Sequence, residues 1–162
     1  MAEVQEGLLT IAPASIRELS PSPKISKGEN YLGLPYVILD YPRISKAEDL
    51  FFIRSMFWWG NFFSSTLQVS GSYKQAFAAQ IIAAYDDLKE HNYAVGINAN
   101  PWVHHFEAEN YRPIQQLSSK GFTEVITQQP HIKIAASWPL SKWDEAAITL
   151  LNSWKFFVDL VA

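Results

Sequence analysis

The chain has 162 residues, no cysteine and a formal net charge of −3. The absence of cysteine excludes disulfides, thiolate metal sites and cysteine nucleophiles. A nucleic-acid-binding domain typically carries a basic stripe, and the lysines of this acidic chain are isolated, so we expect no nucleic-acid partner. The length predicts a single globular domain over residues 1–162.

The beginning of the chain, MAEVQEG, lacks the cationic start and apolar run of a secretory signal. No stretch reaches the roughly 18 consecutive apolar residues of a membrane span. We therefore expect a soluble, cytoplasmic protein without a membrane partner. The glycine-rich phosphate-binding loops are missing, no family signature is present, and no cofactor is predicted.

The first part of the chain predicts little regular structure. Residues 1–20 show roughly helical spacing broken by Gly7 and Pro13, which predicts one weak helix or two short ones. Residues 20–30, SPSPKISKGEN, predict a mobile, turn-rich surface loop. The apolar run LPYVILDY, residues 34–41, predicts a strand covered on both faces. Arg43 follows this strand end, where ligand contacts are common, and is a candidate binding residue.

Residues 50–71, LFFIRSMFWWGNFFSSTLQVSG, predict a β-hairpin around Gly60 and Asn61. A two-residue loop would mix polar and apolar side chains on each face, whereas a three-residue loop over 59–61 separates them. Because a one-residue slip reverses the faces, we favour the three-residue loop, with Asn61 in the left-handed conformation. The apolar face then holds Phe51, Ile53, Phe57, Phe63, Leu67 and Val69. The mixed face holds Phe52, Arg54, Met56, Trp58, Phe62, Ser64, Thr66 and Gln68.

The mixed face has two interpretations. In the first, the face is covered like the other one, and Arg54 either reaches solvent or pairs with a carboxylate. In the second, the face forms the wall of a ligand groove. The candidate residues for binding a ligand or partner are Arg54, Trp58, Trp59, Asn61 and Phe62. We expect a double substitution of Arg54 and Trp58 to abolish binding without lowering the melting temperature.

The second half of the chain predicts further helices and strands. Helices are predicted over residues 72–90, 107–119 and 142–161, and strands over 93–97, 122–127 and 131–138. In the last strand, His131, Lys133, Ala135 and Ser137 alternate with apolar residues and predict a solvated face.

These elements predict an α+β fold. We expect a single-layer, mixed but mostly antiparallel sheet of five or six strands with the aromatic hairpin at its centre. Helices, including the long C-terminal one, should pack on at least one face, above the apolar hairpin face. Exposed aromatic residues or the C-terminal helix would then form a homodimer interface.

Residues 104–109, HHFEAE, are the one cluster of metal-binding residue types. In an extended chain His105, Glu107 and Glu109 point to the same side, and His131 is the additional ligand required for a metal site. Two functional hypotheses follow. The first is a binding or protein-interaction module that uses the mixed face. The alternative is a small hydrolase-type or metal-assisted enzyme that uses His104 or His105 with Glu107.

Overall fold

A computed structural model describes residues 1–161 of the chain. The helices are α1 Ala2–Ile11, α2 Ala14–Leu19, α3 Gly71–Ala83, α4 Tyr85–Glu90, α5 Ser119–Gln128 and α6 Ala146–Val161. The strands are β1 Lys24–Tyr31, β2 Leu34–Lys46, β3 Asp49–Trp58, β4 Phe62–Ser70, β5 Ala94–Gly96, β6 Tyr111–Pro113 and β7 His131–Pro139. Short 3-10 helices cover Ile114–Gln116 and Leu140–Glu145.

The seven strands form one sheet in the order β1-β2-β3-β4-β7-β5-β6. The α+β class and the aromatic hairpin inside the sheet are confirmed, but the predicted count of five or six strands was too low. Every strand pair is antiparallel, so the sheet is not mixed. Strands β1 to β4 form a meander, and β7 joins that meander to the last two strands.

The main core lies on one face of the sheet, which we call the helix face. All six helices contribute a buried side chain to it: Val4, Ile16, Ile81, Leu88, Phe122 and Leu150. Five residues of the apolar hairpin face are buried here, and Phe57 packs against them partly exposed. The predicted packing of helices over this hairpin face is therefore confirmed.

The hairpin has the three-residue loop that the side-chain pattern favours. Trp58 pairs with Phe62, and Ile53 pairs with Leu67. The left-handed residue of the loop is Gly60, with φ +70°, rather than the predicted Asn61. Glycine has no Cβ and adopts this left-handed conformation without a steric clash, so the loop turns at Gly60 without backbone strain.

Three predicted elements were wrong, and one was divided. The predicted helix over 72–90 is helical as α3 and α4, with a break at Ala84. The predicted loop at 20–30 contains the edge strand β1. The predicted helix over 107–119 is replaced by β6 and a 3-10 turn, and the predicted strand over 122–127 is helix α5. The C-terminal helix begins at Ala146, after a 3-10 turn, and has 16 residues.

Candidate functional site

The mixed face is covered by the chain itself. Residues 97–110, which we call the covering segment, cross it without regular secondary structure. Trp102 packs its ring 6.1 Å from that of Phe52, and Phe106 packs 5.3 Å from Phe62. A polar cluster of Asp40, Arg54, His104 and Lys133 lies between this segment and the sheet. The interpretation in which the mixed face is covered like the other face and Arg54 pairs with a carboxylate agrees with this arrangement. Because Trp58 is buried and Arg54 is paired with the buried Asp40, the expectation that their double substitution spares the melting temperature is wrong.

Arg54 and Asp40 form the ion pair of this cluster. The strands β2 and β3 place the two residues directly opposite each other. Arg54 Nε donates to Asp40 Oδ1 at 2.7 Å, and Nη2 donates to Oδ2 at 2.8 Å. Their side chains are 13% and 3% exposed. A buried, two-point ion pair on neighbouring strands holds the guanidinium in one orientation.

His104 joins the covering segment to this ion pair. Its Nε2 lies 3.1 Å from Arg54 Nη1. Because a guanidinium only donates, Nε2 accepts and the proton of the neutral ring lies on Nδ1. Burial, reinforced by the charges of Lys133 and Arg54, lowers the pKa of His104 to about 2. The imidazole is therefore neutral at physiological pH, and its Nε2 lone pair is taken up by Arg54.

Lys133 is buried at 2% exposure on β7, so its predicted place on a solvated face was wrong. Its Nζ bonds the backbone carbonyls of Pro101 and Val103 and lies 3.4 Å from His104 Nδ1. Burial, followed by the charge of Arg54, lowers the pKa of Lys133 to about 7. A neutral amine fits this environment, since it offers two N–H groups to the carbonyls and a lone pair to the Nδ1–H group.

A cavity of about 160 Å³ opens beside the polar cluster. It is lined by Tyr31, Tyr36, Ile38, Arg54, Met56, Trp102 and His104. Arg54 makes three of the five hydrogen bonds that its guanidinium can donate within the described residues. The Tyr31 hydroxyl accepts from the His104 backbone N–H at 2.6 Å. The cavity thus combines aromatic walls with one fixed cation, the Arg54 guanidinium, which can still donate two hydrogen bonds.

Tyr36 reaches this cavity because residue 28 has no side chain. Tyr36 pairs with Gly28 across β1 and β2. A Cβ on Gly28 would lie 2.4 Å from atoms of the Tyr36 ring. The ring lies over the bare glycine backbone, as aromatic residues often do opposite a glycine in a sheet.

The predicted binding residues fall into two groups. Arg54 lines the cavity, while Trp58 lies behind it, 7% exposed, with its indole N–H donating to Tyr31 O at 3.1 Å. Phe62 is half-buried against Trp58. The remaining candidates are separate from the cavity lining and are exposed: Trp59 and Asn61 in the hairpin loop, and Arg43 on β2.

The predicted metal ligands do not form a site. His105 Nδ1 bonds the Tyr31 hydroxyl at 2.9 Å, whereas Glu107 and Glu109 are exposed. His131 is buried at the start of β7, paired with Ser70. Within residues 1–161, no three histidine, aspartate or glutamate side chains lie close enough together to hold a metal ion.

Three central residues were missed in the sequence. Asp40, within the apolar run VILDY, carried a usable signal, because a carboxylate inside a buried strand requires a cationic partner. Lys133 carried no such signal, since its alternation with isoleucines is typical of a solvated strand face. Tyr31 lay in a segment without any periodic pattern.

Comparisons with known proteins give no assignment. No family model matches the chain, and neither curated proteins nor solved structures show a match. Among the described residues, no helix has both the length and the apolar character required to span a bilayer. The function must therefore be inferred from the site itself.

Proposed function

We propose that this protein is a binding domain whose cavity beside Arg54 takes a small carboxylate. The observation that carries the proposal is the Arg54 guanidinium, which is fixed by Asp40 and lines the cavity with N–H groups left to donate. A carboxylate accepts from a guanidinium with short, charge-assisted bonds. The preorganised cation requires little rearrangement on binding, which favours affinity.

The cavity limits the ligand to a few non-hydrogen atoms. Its volume of about 160 Å³ is well below the roughly 300–1,000 Å³ of sites for drug-sized ligands. The rings of Tyr31, Tyr36 and Trp102 suit the apolar part of such a ligand. Because both His104 ring nitrogens are engaged and Glu107 is exposed, the hydrolase-type alternative gains no support from this geometry.

The decisive experiment compares propionate with propanamide, which has a similar shape and no charge. Each is titrated while NMR records the Arg54 Nε–H and Trp58 indole N–H signals. We expect propionate to shift both signals, and propanamide to bind at least about tenfold more weakly because it lacks the charge-assisted bond.

Two tryptophans of similar exposure provide matched variants. Trp102→Ala removes a wall of the cavity and should weaken propionate binding, whereas Trp143→Ala should leave it unchanged. The side chains are 47% and 45% exposed, so both variants should fold. The proposal fails if propionate leaves the Arg54 signal unshifted or if both compounds bind equally.

A further inference from the structure

A second, larger opening lies on the helix face, away from the Arg54 cavity. It is an open groove of about 490 Å³, and its lining includes Lys27, Val37, Phe57, Trp59 and Trp143. Trp59 and Trp143 are 52% and 45% exposed. Two large rings that remain at solvent contribute little to folding and are typical of a contact surface.

The tryptophans form the walls of the groove and Phe57 forms its floor. The Phe57 ring centre lies 4.6 Å from that of Trp59 and 4.6 Å from that of Trp143, both in edge-to-face contact. Trp59 is held at the hairpin loop, where its backbone N–H donates to Pro35 O at 3.0 Å. Both walls therefore rest on the same floor residue, and the backbone of Trp59 is anchored to β2.

The groove is the part of the helix face that the helices leave open. Lys27, Val37 and Phe57 are paired in one row across β1, β2 and β3, and paired residues share a face. Further along the same face, Leu39 and Ile53 are 1% exposed beneath the helices. The apolar surface of the sheet thus continues from the core into the groove.

Lys27 is the single side chain in the groove lining that carries a formal charge. It is exposed at one end of the row, next to Val37. An apolar body seated between the tryptophans would place an acidic head group at this end. We propose that the groove binds an amphipathic anion of the fatty-acid class, with its chain on Phe57 and its carboxylate at Lys27.

This site is independent of the Arg54 cavity, because the groove and the cavity share no lining residue. The ligands differ accordingly: the cavity takes a few atoms, whereas the groove takes a chain. A negative result for one site therefore does not contradict the proposal for the other.

The experiment measures tryptophan fluorescence and calorimetric binding of three 12-carbon amphiphiles below their micelle concentrations. These are dodecanoate, 1-dodecanol and dodecyltrimethylammonium. We expect dodecanoate to bind tightest, and Lys27→Met to weaken dodecanoate about fivefold while leaving dodecanol unchanged. Trp59→Ala should weaken both by about tenfold or more, and Trp102→Ala should change neither.

Two outcomes overturn the proposal: a lack of dodecanoate binding, and equal binding of the cationic amphiphile. If free dodecanoate does not bind but the protein sediments with mixed phosphatidylcholine and phosphatidylglycerol vesicles, the groove is assigned to a membrane surface instead. Lys27 and Trp59 are both exposed, so circular dichroism should show folded variants.

Discussion

Replacement of Lys133 by methionine tests the buried polar cluster most directly. The pKa of Lys133 is lowered from 10.5 to about 7, first by burial and then by the charge of Arg54. At or below pH 7 this shift corresponds to roughly 5 kcal/mol of destabilisation, at about 1.4 kcal/mol per pH unit.

The sign of the pH dependence follows from the proton balance. Between pH 7 and 10.5 the unfolded chain holds the Lys133 proton and the folded chain does not, so unfolding takes up one proton. The free energy of unfolding should therefore rise with pH by about 1.4 kcal/mol per unit in this window. Methionine carries no proton, so the variant should lose this slope.

Urea denaturation from about pH 7.5 to about pH 9.5 measures the slope, because it stays below the range in which unfolded tyrosines lose protons. An exposed lysine gives the control, since Lys120→Met should retain the full slope. If the Lys133 variant keeps the same slope as the unmodified protein, Lys133 is not the titrating group and the neutral-amine geometry is wrong.

Three further predictions concern single side chains. Arg54→Met leaves the buried Asp40 carboxylate without its partner and should lower the free energy of unfolding, measured by urea denaturation, by about 3–5 kcal/mol. A loss below about 1 kcal/mol would show that the ion pair is solvated. Burial keeps His104 neutral, so the ¹⁵N chemical shifts of its ring nitrogens should stay in the range of a neutral imidazole from about pH 8 to about pH 5, even though the neighbouring Lys133 titrates in this window. Two imidazolium-type ¹⁵N shifts at about pH 5 would contradict this geometry. Gly71→Ala should cost about 1–2 kcal/mol in thermal melts, because Gly71 has φ +57° and a Cβ would lie 2.2 Å from Asp49 Oδ1. An unchanged melting temperature would refute it.

The hairpin shows what the sequence predicts well. Side chains alternate with a period of two, so the choice between two loop lengths decided which residues are buried, and Ile53 and Leu67 pair as expected. The alternation of side chains does not predict which part of the chain covers the mixed face. The covering segment has no periodicity, and its contacts come from residues distant in sequence, such as Lys133.

Helix α5 shows where local preference misleads. The segment FTEVIT is rich in β-branched and aromatic residues and favours a strand. Phe122 and Ile126, four residues apart, are both buried in the core, so packing of one helical face outweighs the preference. Strand β1 was missed for the opposite reason, because an edge strand with polar side chains on both faces shows no alternation.

The fold and the candidate site therefore differ in how far sequence predicts them. The core follows from the order of apolar residues, whereas the cavity depends on Asp40, Arg54 and His104 meeting from three separate parts of the chain. The homodimer remains a prediction.

The central position of β4 has a consequence during protein synthesis. One neighbour, β3, is made just before it, but on the other side Phe62 pairs with Pro139 and Ser70 with His131. At about 5–20 residues per second, the ribosome needs roughly 3–15 s to complete β7 after β4. A four-stranded meander that forms in this interval has β4 as a free edge, with the backbone groups that later bond β7 left unpaired. Such an edge is a template for pairing with another chain, so the completion of β7 removes a route to aggregation that is open to the unfinished chain.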